Sequence, residues 1–308
     1  MNDKSATRRA WIITGPTSGI GYRTALEVAE HGTVVLVGRN PAKLRKVQAD
    51  IEAAGGAAIS VHADLSDIHS ARRAAEEVAS LDLPLAGLVN NAGIMPTRPA
   101  WSEQGWELAF ATNHLGPLAF TDALVPALPD GANVVFIASS AEDPEDPMAT
   151  RAGFRGSRYL SAQATARGEY RPGGCIQPGG DAYATSKQGN LAAVFTLAQE
   201  HPQLHFRAVE PGFSPASGLS RDLPPMMKLM TKSLTLIAPL LPAMSTPKRA
   251  ARNIVKVLTD TSDATGTYSG ANGKPMKASR QVSNPDYHAR YIAESRALLA
   301  SVPAAPQK

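Results

Sequence analysis

Short apolar runs alternate with amphipathic stretches along the first two thirds of the chain. Ala10 to Thr14 (AWIIT), Thr33 to Val37 (TVVLV), Ala57 to His62 (AAISVH), Leu85 to Val89 and Asn133 to Ile137 (NVVFI) predict five strands. Between them, TALEVAEHG ending at Gly32, Pro41 to about Ala54, and Ile68 to about Leu81 carry helical patterns. Pro41 suits a first helical turn, where its missing N–H costs nothing. Trp101, Trp106 and Phe110 fall in a further helical segment that also holds Asn113 and His114. A sixth strand is expected beside His205. Residues 248–259 and Pro285 to Ala300 predict two late helices, with a last strand and turn over 267–279 between them.

Length and composition narrow the class. The chain has 308 residues, 43% of them hydrophobic, enough for one large α/β domain or two small ones. With 19% charged residues and a net charge of +4, it suits anionic small molecules and gives no argument for nucleic acid. Its single cysteine, Cys175, excludes an internal disulfide and a cysteine metal cluster. The first fifteen residues have no apolar signal core, and the longest apolar stretch, Leu234 to Met244, is broken by Pro239 and Pro242. The expectation is a soluble, cytoplasmic protein without stable membrane insertion. No metal site is expected. His201 and His205 have i, i+4 spacing, but Pro202 lies between them, so both read as surface residues. His114 reads as packing.

Several stretches carry candidate chemistry. Gly15-Pro16-Thr17-Ser18-Gly19-Ile20-Gly21 follows the first strand and opens a helix. Such glycines let the backbone approach a pyrophosphate, and a helix N-terminus favours the anion. The second strand ends at Gly38-Arg39-Asn40, where an acidic residue would bind a ribose 2′-hydroxyl. Arg39 offers a guanidinium for a 2′-phosphate, or is a plain surface arginine. Asp64, beside Leu65, could accept from an adenine amino group or cap the helix that follows. Asn91-Ala92-Gly93 form either a turn or a small-residue bed for a cofactor. Asn113 is a poor helix former inside an apolar helix, and its amide must find partners. Ser139 and Ser140 lie at the C-terminal end of the fifth strand, where parallel sheets bind ligands. In Tyr183-Ala184-Thr185-Ser186-Lys187 the phenol and ammonium share one helical face. A nearby positive charge favours phenolate, which suits proton transfer to or from a carbonyl oxygen. Taken alone, the pair also fits a solvated helix face.

Taken together, TGPTSGIG, NNAG, a mid-helix Asn113, a strand-end serine, YATSK and Glu210-Pro211-Gly212 resemble the short-chain dehydrogenases/reductases, over about Trp11 to Phe213. The three residues between Gly15 and Gly19 resemble the dehydrogenase spacing. The resemblance implies a single Rossmann-type α/β domain, a doubly wound parallel sheet with helices on both faces. It implies a catalytic tetrad of Asn113, Ser140, Tyr183 and Lys187. Ser140 is chosen because the family's serine is usually the second of such a pair. Tyr183 would be general acid in reduction and general base in oxidation. Lys187 would hold the nicotinamide ribose, and Asn113 would anchor a water chain behind it. Cofactor contacts are expected at Gly15, Ser18, Gly19, Ile20, Gly21, Arg39, Asn40, Asp64, Leu65, Asn91, Ala92, Gly93, Tyr183, Lys187, Pro211, Gly212 and Ser214. Arg39 resembles the members that prefer NADP(H) over NAD(H). The implied function is carbonyl–alcohol interconversion on a hydrophobic small molecule. The alternative is a catalytically silent NADP(H) sensor or scaffold. Relatives pair through the helices that here hold Asn113 and Tyr183, so a homodimer or homotetramer is expected.

Two departures from the family pattern stand out. About forty residues, 141–182, separate Ser140 from Tyr183, long for any loop. Retinol-dehydrogenase-like members lengthen the same stretch. This insert turns from acidic to basic, with a short helix expected around Ser157 to Arg167 and an open loop over Pro172 to Gly180. It reads either as a roof over the site or as a surface elaboration, with Cys175 a bystander. The family also commonly has threonine four residues after the Pro-Gly glycine. Here Ala216 stands there, so Ser214 or Ser217 would substitute. Residues 214–247, rich in Met, Leu and Pro between Leu219 and Pro247, read as an apolar substrate lid or as an amphipathic packing helix. The tail 301–308 is expected to be disordered.

Overall fold

The computed structural model describes residues 9–212 and 245–303. The expected lid, with Ser214, Ala216 and Ser217, lies outside them apart from its last residues. Among the described residues seven strands form one all-parallel sheet in the order β3-β2-β1-β4-β5-β6-β7. They are β1 (Ala10–Thr14), β2 (Thr33–Gly38), β3 (Ala57–His62), β4 (Leu85–Asn90), β5 (Asn133–Ile137), β6 (His205–Val209) and β7 (Thr267–Ser269). The chain reverses its direction of travel across the sheet between β1 and β4. A crevice opens at the C-terminal strand ends of such a switch point.

The sheet is buried on both faces, which explains why β1, β5 and β6 are buried at every position without alternation. One face is covered by α1 (Gly19–Val28), α2 (Pro41–Ala53) and, late in the chain, α8 (Pro247–Leu258). On the other lie α3 (Ile68–Ala79), α4, α7 (Gly180–Glu200) and α9 (Pro285–Ala300). Here α4 is one continuous helix over Leu108–Phe110, Ala111–Leu115 and Gly116–Leu124, its middle segment wound as a π turn. The insert contributes two short helices, α5 (Pro147–Arg151) and α6 (Ala162–Ala166). Each buried Leu, Ile or Phe in these layers contributes about 1.5–3 kcal/mol.

α7 positions the chemistry. Residues Ala182 to Val194 are all buried, because the sheet lies beneath them and α4, α9 and the insert surround the rest. Gly189 lets α7 close on α4, since a Cβ there would stand 2.6 Å from His114 Nδ1. Tyr291 of α9 donates to the Thr185 carbonyl at 2.9 Å and stacks on Tyr159 of the insert. Arg296 bridges Asp122 of α4 and Glu200 of α7. The surfaces of α4 and α7 expected to pair between subunits are thus packed against the chain's own α9.

Other expectations change in detail. α1 stops at Val28, short of Gly32. The helix of the insert starts at Ala162, capped by Ser161, and not at Ser157. Trp101 and Trp106 precede α4, and Trp101 bridges Glu107 as an isolated antiparallel pair. His205 is buried in β6, not at the surface, because its strand is interior. Val302 is buried, so the tail packs at least to that residue, and 304–308 lie outside the described residues.

Candidate active site

The glycine turn is held by the strand beside it. Gly15 and Gly19 have φ of 66° and 57°, where a side chain would be strained. Asn91 Nδ2 donates to the carbonyls of Thr14 (2.9 Å) and Gly15 (3.1 Å). Thr14 Oγ1 accepts from the N–H groups of Asn91 and Ala92. The Asn91 side chain therefore shapes the turn. A groove runs from Gly15, Thr17, Ser18, Ile20 and Gly21, past Gly38 and Arg39, to Ala63, Asp64 and Leu65. Its other wall is Asn91 to Ile94, Thr112, Ile137, Tyr183, Lys187 and Pro211.

Most of the expected cofactor residues share this groove, with some exceptions. Gly19, Asn40 and Gly212 do not line it. Asn40 is engaged as the cap of α2, its Oδ1 accepting from Lys43 N–H at 3.0 Å. Asp64 Oδ1 accepts from Ser66 N–H and Oγ at 2.9 and 2.7 Å, while the cap of α3 is Asp67. Asp64 still lines the groove. Arg39 is exposed there, and its carbonyl accepts from His62 Nε2 at 3.2 Å. Thr17, Ile94, Thr112 and Ile137 were not expected. They are wall residues whose only signal is adjacency to a motif.

At the inner end Ser139 bears on the Tyr183 phenol and favours its ionised form against burial. Ser139 is extended at the end of the strand and caps the Ser140–Glu142 turn. Ser140, one residue further, instead gives its N–H to the Glu210 carboxylate. Lys187 follows one helical turn on. Its Nζ donates to the Ile137 carbonyl at 2.8 Å and stands 5.6 Å from the Tyr183 ring centroid. Asn113 explains its own oddity. In the π turn its Oδ1 accepts from Ile94 N–H at 2.8 Å, and its Nδ2 donates to the Ile94 carbonyl and to Ser186 Oγ. A Cβ on Gly93 would lie 3.4 Å from Asn113 Oδ1 and 3.6 Å from Lys187 Nζ, so both flank that residue.

The electrostatics differ from the sequence expectation. Burial pushes the Tyr183 phenol above its ordinary value; the charge of Glu210 adds to this, and the Ser139 hydrogen bond opposes it. Burial lowers Lys187 to about 8, with Glu210 pulling the other way. Lys187 Nζ is directed at the Ile137 carbonyl, and burial outweighs the Ser139 contribution that favours the phenolate. The phenol is held as an acid. Cys175 is pushed up to about 11 by burial and by Asp181, which leaves an unreactive thiol. Burial lowers His114 to about 3, so this imidazole is neutral packing against Ser295.

The insert reaches the site through Ala141 and Phe154. Phe154 packs 6.0 Å from Tyr183, centroid to centroid, in a small apolar cluster with Met95, Ala141 and Ala184. Among the described residues no group of three or more His, Cys, Asp or Glu could hold a metal ion, and no helix is long and apolar enough to cross a membrane.

This arrangement has relatives. The short chain dehydrogenase family model matches residues 9–154. A short-chain dehydrogenase/reductase of Armillaria gallica is 30% identical over 229 residues, covering 73% of this chain and 71% of that one. Dehydrogenase/reductase SDR family member 12 of Bos taurus is 30% identical over 226 residues, which cover 70% of this chain but 64% of that protein's length. Among solved structures, a protein from Mycobacterium paratuberculosis superposes with a TM-score of 0.71 at 25% identity, covering 96% of this chain and 94% of that one. A short chain dehydrogenase from Burkholderia cenocepacia, solved in complex with NADP, gives 0.63 at 21% identity, covering 88% and 98%. The chain belongs to the short-chain dehydrogenase/reductase family.

Proposed function

We propose that the protein is an NADP(H)-dependent oxidoreductase that interconverts a carbonyl and an alcohol on a hydrophobic small molecule. The observation that carries this reading is that Tyr183 and Lys187 line the inner end of a groove that begins at a glycine turn. The groove fits a dinucleotide phosphate. The Gly15–Gly21 turn and the start of α1 would take the pyrophosphate. Arg39 would take the 2′-phosphate, Asp64 and Leu65 the adenine, and Ala92, Gly93 and Lys187 the nicotinamide ribose. Bound NADPH would supply the hydride. Tyr183 gives its proton to the carbonyl oxygen, and Ser139 orients that oxygen. Asn113 ties the Ile94 wall to α7 through Ser186, keeping Lys187 beside Gly93.

NADPH oxidation with a panel of apolar ketones, aldehydes and quinones tests this reading. Turnover of at least one class is expected. Tight NADPH binding with no carbonyl consumed would favour the silent sensor. Within the same assay Ser139→Ala should lower kcat by about 100-fold, as losing one donor to a developing oxyanion does. Ser140→Ala should stay within a few-fold, and the reverse order would return the role to Ser140.

The length of the insert and the position of Phe154 support a bulky apolar substrate and a place beside the retinol-dehydrogenase-like members. Phe154→Ala should raise KM for bulky aromatic carbonyls about tenfold, an apolar contact of about 1.4 kcal/mol, while leaving short aldehydes nearly unchanged. Equal KM values in variant and wild type would make the insert a surface elaboration.

A further inference from the structure

Glu210 enters the sequence only as the first residue of a Pro-Gly motif. In the structure it is a buried carboxylate at the centre of the site. β5 and β6 run in register up to Ile137 and Val209, and one more ladder bond joins Ala138 N–H to the Val209 carbonyl. Beyond that the strands part, and the Ser140 and Gly212 N–H groups have no ladder partner. The Glu210 side chain takes over. One oxygen accepts from Ser140 N–H, and the other from Gly212 N–H at 2.9 Å. Its own N–H is fixed by the Ser269 carbonyl of β7 at 2.8 Å. One side chain thus joins the turn that carries Ser139 to the turn that carries Pro211.

A neutral acceptor could satisfy one of these N–H groups without the desolvation cost of a carboxylate. The charge has a further consequence. The groups that face Glu210 are Lys187 and Tyr183 from α7, Tyr268 from β7 and Asp146 at the start of α5. We propose that Glu210 is a positioning residue for the reaction proposed above: it fastens the Ser139 turn to Pro211 and Gly212 and holds a buried negative charge against Tyr183 and Lys187. That charge favours the proton-bearing forms of both phenol and ammonium. Burial raises the Glu210 carboxyl above its ordinary value and Asp146 adds to this, whereas the Ser140 and Gly212 N–H donors and Lys187 favour the ionised form.

Two variants separate position from charge. Glu210→Gln keeps the shape and removes the charge. Glu210→Asp keeps the charge and shortens the reach. The first readout needs no turnover: NMR titration of labelled lysine Nζ in the full chain, with the Lys187 signal assigned by its loss in Lys187→Met. The wild-type midpoint is expected at about 8. It should fall by about one pH unit in Glu210→Gln and hold in Glu210→Asp. Amide exchange at Ser140 and Gly212 should speed about tenfold or more in Glu210→Asp. In turnover assays Glu210→Gln should move the alkaline limb of carbonyl reduction to lower pH. Glu210→Asp should lower kcat about tenfold without moving that limb. An unchanged Lys187 midpoint in Glu210→Gln overturns the electrostatic role. Unchanged Ser140 exchange in Glu210→Asp overturns the positioning role, and it decides alone if the glutamine variant does not fold. If the wild type turns over no carbonyl, the proposed function falls, while titration and exchange still judge Glu210.

Discussion

Tyr183→Phe should lower kcat for carbonyl reduction by about 100-fold or more while leaving NADPH affinity within about twofold. The range follows from what a positioned general acid contributes, about 100- to 10,000-fold. The substitution is well isolated. The ring keeps its packing on Phe154, Ala141 and Ala184, and only the hydroxyl is removed. Lys187 keeps the Ile137 carbonyl as its partner, so the ribose side of the site is undisturbed. The phenol stands above its ordinary value because of burial and Glu210, so it is fully protonated across the neutral range. Reduction has its acid ready; oxidation requires the phenol to lose that proton, so its rate should keep rising with pH until Lys187 deprotonates near 8. Near wild-type turnover in the phenylalanine variant would remove Tyr183 from the chemistry. The measurement is steady-state kinetics beside a fluorescence titration with NADPH.

Arg39→Asp should weaken NADPH by about ten- to hundred-fold and leave NADH unchanged or improved. Arg39 follows the last residue of β2, and register pairing with β1 sets that strand end beside the glycine turn. The guanidinium is exposed at the groove, free to meet a dianionic 2′-phosphate in bidentate fashion. A charge-assisted hydrogen bond contributes about 1.5–3 kcal/mol, which gives the stated range. Asn40 adds little through its side-chain oxygen, because that atom caps α2. No carboxylate stands at residues 38–40 to favour an unphosphorylated ribose. Equal wild-type dissociation constants for NADH and NADPH would make Arg39 an ordinary surface residue.

The architecture was legible because its signals are local. Ala10–Thr14, Ala57–His62 and Asn133–Ile137 are apolar runs of strand length bounded by turn residues, and the observed strands have those limits. α9 likewise runs over Pro285–Ala300, with Pro at its start and Asn284 as its cap. The glycine turn, NNAG and YATSK announce themselves by spacing, and the fold gathers them at one groove. What was not legible depends on direction and distance. Two adjacent serines are equivalent in sequence, yet Ser139 ends the extended strand and caps the turn that Ser140 opens. The expected phenolate assumed that i, i+4 proximity was enough. Burial outweighs it, because α7 is enclosed on every side. Glu210 has the look of motif punctuation until β5 and β6 are seen to part. Phe154 lies in an insert without periodicity, and no local signal could tie it to a residue about thirty positions away. The same blindness hid the contacts of α9, whose Tyr291 and Arg296 reach α7 and α4.

The most direct test of the account is transfer of deuterium from NADPH labelled at the transferable position of its nicotinamide to an apolar ketone. The account predicts label on the carbinol carbon of the product with the wild type, and loss of product formation with Tyr183→Phe although the labelled cofactor still binds. Cofactor that binds in the groove and leaves every carbonyl unlabelled and unreduced would contradict it.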